Sequence, residues 1–71
     1  MKEKMKEIAF LDITDNKRLI LSIGEYRDDE RVDLRLFVKI DNEFIPTKKG
    51  INFHSEHLEG FINMISKLND V

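Results

Sequence analysis

No cysteine occurs in these 71 residues. Disulfides and thiolate metal sites are therefore excluded, and the absence fits a reducing compartment. A domain of this size buries a modest share of its surface. With no disulfide to support it, self-association is the expected supplement. No apolar run approaches the roughly 18 residues that a membrane span needs, so no membrane partner is expected. The opening stretch MKEKMKEIAFLDITD sets acids on both sides of a four-residue apolar patch, unlike a secretory signal. Glycine is scarce, three in all, and Lys48-Lys49-Gly50 lacks the glycine spacing of a phosphate-binding loop. The net charge of −2 offers no whole-chain attraction for nucleic acid.

Enzymatic constellations are missing too. His54 and His57 stand three apart and could share a helix face, but near a helix start they read as exposed or capping residues, not metal ligands. Asp28, Asp29 and Glu30 lack the spaced ligands and glycine of a calcium loop. No serine–histidine–acid arrangement can be drawn. The sequence therefore predicts a non-enzyme with no metal and no cofactor. No internal repeat or low-complexity segment is visible. Charged residues make up 37% of the chain beside ample aliphatic content, the balance of a globular protein.

What is present is alternation. In Arg31–Ile40 the even positions are Val32, Leu34, Leu36, Val38 and Ile40, and the odd ones Arg31, Asp33, Arg35, Phe37 and Lys39. Period two over ten residues predicts a strand with one buried face. Arg18–Tyr26 alternates in the same way and predicts a second long strand. Between them Arg27–Glu30 reads as a polar loop. Asp41-Asn42 suits a two-residue hairpin turn, because both residues tolerate positive φ. Glu43–Lys49 then continues as a strand, at an edge or bent at Pro46, which lacks a ladder donor. Gly50 is expected to take a conformation other residues avoid. Ile8–Ile13 reads as a short strand, although Met5, Ile8 and Ala9 could equally begin a helical turn. Residues 1–7 are expected to be a loose lead and 8–71 the folded domain.

Ser55 is a plausible helix N-cap, with Glu56 at the positive helix end. Leu58, Phe61, Ile62, Ile65 and Leu68 follow at helical spacing, predicting a helix from about Ser55 to Asn69. Strands followed by one helix give an α+β layout. A ten-residue third strand is ~33 Å long, and the predicted helix, about 15 residues, only ~22 Å. One helix cannot cover such a sheet. A homodimer is expected, with the five apolar helix positions at its interface.

The simplest registers place Lys39 opposite Phe44, Phe37 opposite Pro46 and Arg35 opposite Lys48. A four-residue loop at Arg27–Glu30 would set Tyr26 against Arg31, Ser22 against Arg35 and Arg18 against Lys39. One face then carries Arg18, Arg31, Arg35, Lys39 and Lys48 against Asp33 alone, about +4. Tyr26, Phe37 and Phe44 sit among these cations. Aromatics beside Arg and Lys suit base stacking and phosphate binding. A solvated sheet face is the competing reading.

These residues resemble the transcriptional coactivator family called positive cofactor four, which shares a Whirly-like fold with single-stranded DNA-binding regulators. The resemblance rests on Tyr26-Arg27, on Asp33-Leu34-Arg35-Leu36-Phe37, on Pro46 to Ile51 and on the helix start at Ser55-Glu56-His57-Leu58, and it covers about Leu19–Ile65. It implies a curved four-stranded antiparallel sheet followed by a C-terminal helix, a dimer formed largely through the helices, and sequence-tolerant binding of single-stranded DNA. Carried over by position, the contacts fall on Tyr26, Arg27, Arg35, Lys48, Lys49 and Gly50. The alternation adds Arg31, Phe37 and Lys39. RNA is chemically open as a ligand, and a protein-interaction module that kept the fold is the alternative. The transcription machinery is a further partner the resemblance implies. Localisation would be cytoplasmic and nucleoid-associated in a bacterium or phage, nuclear in a eukaryote. The family often has tryptophan where this chain has Val38 and glycine where it has Thr47, and the acidic Asp28-Asp29-Glu30 replaces lysine and glycine. These changes imply weaker or narrower binding.

Overall fold

A computed structural model describes residues 4–71, with the backbone alone described for Lys4 and Tyr26. Four strands, β1 (Lys4–Thr14), β2 (Lys17–Tyr26), β3 (Asp29–Ile40) and β4 (Glu43–His54), form one antiparallel sheet in the order β1-β2-β3-β4. A 3-10 turn at Ser55–His57 leads into helix α1 (Leu58–Ser66), and a second 3-10 turn covers Lys67–Asp70. The α+β layout matches the expectation, with longer strands and a shorter helix. The first strand begins at Lys4, which pairs with Glu25, so residues 4–7 of the expected lead belong to the sheet. Residues 1–3 of that lead lie outside the described residues.

Turn chemistry sets the register. Arg27 and Asp28 have φ of 52° and 68°, and Asp41 and Asn42 have 54° and 65°. Positive φ at both central residues is the mirror-image turn whose twist matches a hairpin. The β2–β3 connection is thus two residues long, not four, and Asp29 and Glu30 open β3. Tyr26 pairs with Asp29, Ser22 with Asp33, Ile20 with Arg35 and Arg18 with Phe37. Every predicted partner in this hairpin is displaced by two. A shift of two preserves the side-chain period, so the assignment of residues to faces holds.

At the other hairpin Lys39 pairs with Phe44 and Phe37 with Pro46, as the sequence predicts, but Arg35 meets Gly50. Thr47, Lys48 and Lys49 stand opposite Leu36 alone, a wide bulge. The predicted like-charge pairs Arg35/Lys48 and Arg18/Lys39 do not form. Gly50 has no positive φ, so its expected unusual conformation is corrected. A side chain there would place Cβ 2.8 Å from the Leu34 carbonyl oxygen and 2.9 Å from Arg35 Cα. Glycine is required by the close approach of two strands.

The helix start differs as well. His54 ends β4, and its Nδ1 accepts a hydrogen bond from the Glu56 N–H at 3.4 Å. His54 thus caps the turn in place of Ser55, and it does not share a helix face with His57. α1 touches the sheet through Phe61, whose ring lies 5.2 Å from that of Phe53. This contact adjoins the row Ile23–Val32–Phe53 on the apolar face. Of the described residues only Val32 and, on the opposite face, Ile20 are buried. The molecule measures 40 × 37 × 18 Å, a curved sheet with little closed core. No described helix is long and apolar enough to cross a membrane.

Candidate nucleic-acid interface

Alternation places Arg31, Asp33, Arg35, Phe37 and Lys39 of β3 on one face, with Arg18, Ile20 and Ser22 beside them on β2 and Phe44, Pro46, Gly50 and Asn52 on β4. A one-residue bulge in β1 at Ile8 brings Met5, Glu7, Phe10 and Asp12 to the same side, and a second bulge follows at Ile13. The predicted excess of about +4 is corrected here. Asp12 and Glu7 from β1, and Asp29 at the start of β3, join Asp33 and offset most of the positive charge.

The arginines are held, not free. Arg35 donates from Nη2 and Nε to the two Asp33 carboxylate oxygens at 2.9 and 3.2 Å, and from Nη1 to the Thr47 carbonyl at 2.9 Å. Two of its five N–H groups remain for a ligand. Asn52 donates to Asp33 at 3.2 Å and accepts from Arg31 Nε at 2.6 Å. Burial pushes the Asp33 carboxyl up, but hydrogen bonds from Arg35 and Asn52 and the charge of Arg35 outweigh it and hold the group below its ordinary value. The Asp33 hydrogen bond raises Arg35 further still. Arg31–Asn52–Asp33–Arg35–Thr47 is one chain of hydrogen bonds across β3 and β4, and it fixes both guanidinium groups in place. Phe37 and Pro46 line a shallow groove with Met5, Ser22, Asp33, Arg35 and Asn52.

At the far end of the face, Arg18 is stacked on Phe10 and on Phe44, its Cζ 4.0 and 4.2 Å from the two ring centroids. Asp12 accepts from Arg18 Nε at 2.6 Å. Lys39 Nζ lies 5.3 Å from the Phe44 centroid. Phe44 stands where the sequence set it, among cations. Phe10 and Asp12 were missed, because the β1 bulges erase the alternation that would place them. Thr47 and Asn52 were missed too. A hydroxyl two residues before an amide, as in Thr47-Lys48-Lys49, was the available signal for the first.

The structure brings Arg31, Arg35, Phe37 and Lys39 together on one face and sets Gly50 beside Arg35. Lys48 and Lys49 project from the adjoining bulge, exposed. Among the described residues neither lysine has an ion pair. Arg27 lies apart from these, in the β2–β3 turn. The role expected of Tyr26 rests on a side chain outside those described. Val38 pairs with Ile45 on the apolar face, so its size does not alter the stacking surface around Phe37.

The family profile described as "Transcriptional Coactivator p15 (PC4)" matches residues 11–64. The chain belongs to the PC4 family. Among solved structures, the PC4 homologue from Burkholderia pseudomallei K96243 is 32% identical over 90% of this chain and 88% of its own, with a TM-score of 0.84. Its tetragonal crystal form gives a TM-score of 0.85. The bacteriophage T5 homologue of the eukaryotic coactivator PC4, implicated in recombination-dependent DNA replication, is 21% identical with a TM-score of 0.72, over 90% of this chain and 75% of its own. MoSub1 in complex with single-stranded DNA is 24% identical with a TM-score of 0.59, over 86% and 71%. The last two share the fold. No curated protein sequence matches the chain. This PC4-family sheet is therefore the family's expected four-stranded platform, with its arginines pre-set by an aspartate.

Proposed function

We propose that this PC4-family protein is a homodimeric, sequence-tolerant single-stranded DNA-binding protein that acts in transcription or replication and does no enzymatic chemistry. Residues 4–71 form the binding domain, and its place of action is wherever the DNA is, the nucleoid-containing cytoplasm in a bacterial or phage setting. The observation that carries the reading is the juxtaposition of Phe37 with Arg31, Arg35 and Lys39 on one open sheet face, beside the exposed Lys48 and Lys49. Bases stack on Phe37 while the cations take the phosphates. Lys48, Lys49, Lys39 and Arg31 carry the charge that attracts phosphate, because Asp33 already balances Arg35. Arg35 contributes two directed N–H groups. Tyr26 and Arg27 extend the path at the β2–β3 turn, and Gly50 lets β4 close onto β3. The MoSub1 complex shows that a neighbour of this fold holds single-stranded DNA, and the phage T5 homologue links the fold to DNA replication.

Titration with oligo-dT at several salt concentrations tests this. Each neutralised phosphate adds about −0.7 to the log–log slope. Lys48→Ala with Lys49→Ala should lower the slope by about 1.4. Phe37→Ala should cost about 1–3 kcal/mol in affinity with the slope unchanged. No binding at low salt, or binding indifferent to salt, would remove the nucleic-acid reading in favour of a protein-interaction module. Oligo-U in the same titration decides between DNA and RNA.

A further inference from the structure

The bulge in β4 is a built object. Three residues, Thr47 to Lys49, face one residue, Leu36. Such a loop of strand loses ladder hydrogen bonds and is left to side chains to satisfy. Thr47 supplies that role from its hydroxyl and its carbonyl. Its hydroxyl donates to the Leu36 carbonyl at 2.6 Å and accepts the Lys49 N–H at 3.1 Å. Its carbonyl accepts Arg35 Nη1 at 2.9 Å. The hydroxyl-to-amide contact two residues on closes a small turn with Lys48 at its apex. On the C-terminal side Gly50 is pressed against the backbone of Leu34 and Arg35, closer than any side chain would allow.

Thr47 is half-buried, whereas Lys48 and Lys49 are exposed. The hydroxyl therefore acts on the lysines from behind and stays out of the path of a ligand on the open side. We propose that Thr47 is a positioning residue that pre-orders the Lys48-Lys49 pair and ties it to Arg35, so that three cations meet a phosphodiester backbone in a fixed arrangement. Holding the bulge before binding removes the ordering cost that a loose lysine loop would carry. This inference rests on the nucleic-acid reading above and adds to it a residue that touches no ligand.

A double-mutant cycle tests it. Thr47→Val keeps the shape and removes the hydroxyl, and Thr47→Ser restores it. Thr47→Val should weaken oligo-dT binding about three- to tenfold and speed exchange of the Lys49 amide, and Thr47→Ser should bring both back toward wild type. In the Thr47→Val background, Lys48→Ala should cost less affinity than it does in wild type, because the lysine is already unplaced. A purely structural threonine would leave the two effects additive, and additivity with a wild-type affinity overturns the inference. If Thr47→Val fails to fold, Thr47→Ala enters the same cycle. Wild-type protein that ignores oligo-dT overturns the underlying nucleic-acid reading instead, so the two failures are told apart.

Discussion

Asp33 organises the polar face through donors on either side. Arg35 reaches it with two nitrogens and Asn52 with one, and the carboxylate is mostly shielded, with 13% of its side chain exposed. A half-buried charge is stable only when paired and hydrogen-bonded. Losing it would leave Arg35 held by the Thr47 carbonyl alone. Asp33→Asn should therefore destabilise the protein by about 1–2 kcal/mol at pH 7. The pH dependence follows from the sign of the shift. The folded carboxyl lies below its ordinary value of 3.8. Its stabilisation is then fully present above that value and is lost as pH falls through the folded one. Urea midpoints of wild type and Asp33→Asn should differ at pH 7 and converge as pH falls through the lowered folded value. A gap that persists at low pH would show that the pair does not carry the effect. The sequence showed Asp33 as a lone acid among cations. Its partner Asn52, and Arg35's partner Thr47, were hidden because the bulge moves β4 by two residues relative to a simple hairpin.

The two hairpin turns that flank β3 differ in how well their residues suit them. All four central residues have left-handed backbones, and none is glycine. Asn and Asp enter this region at modest cost, and a residue without Cβ enters it freely. Asn42→Gly would complete an Asp-Gly pair, the preferred chemistry for this turn. It should raise stability by up to about 1 kcal/mol without moving the register, read as a higher denaturation midpoint with an unchanged m-value. No gain would mean that the turn is set by the strands and not by its own residues. The same turns explain what was legible. Asp41-Asn42 announced itself, and the pairs Lys39–Phe44 and Phe37–Pro46 followed from it. Arg27-Asp28 did not, since arginine is a poor candidate for positive φ, and the run of charges through Glu30 read as loop. Period two survived both errors because each shift was by two. In β1 the shifts are by one, which reverses the faces, and so Phe10 and Asp12 escaped notice.

For the whole molecule the shortage of buried surface decides the state. Among the described residues Ile20 and Val32 alone are buried, while Ile62, Ile65 and Leu68 on the helix are 57%, 48% and 69% exposed. Leu58 and Phe61 are half-buried on the side turned toward Phe53. The helix of nine residues is ~14 Å long beside a β3 of twelve residues, ~40 Å. The apolar sheet face beyond it stays open, with Leu11 and Ile51 61% and 47% exposed. Ordering a backbone residue costs about 1–2 kcal/mol, and two buried side chains cannot offset that across the chain. Association would offset that cost, and stability would then depend on protein concentration. The wild-type protein should sediment at twice its 8.4 kDa at micromolar concentration, with a Tm that rises on concentration. Ile62→Glu with Ile65→Glu would set two charges in the proposed seam. The pair should abolish the dimer and the concentration dependence together and lower the Tm. A wild-type chain that sediments as a folded monomer, with one Tm at every concentration, would show that the exposed stripe is not an interface, and the homodimer would fall with it.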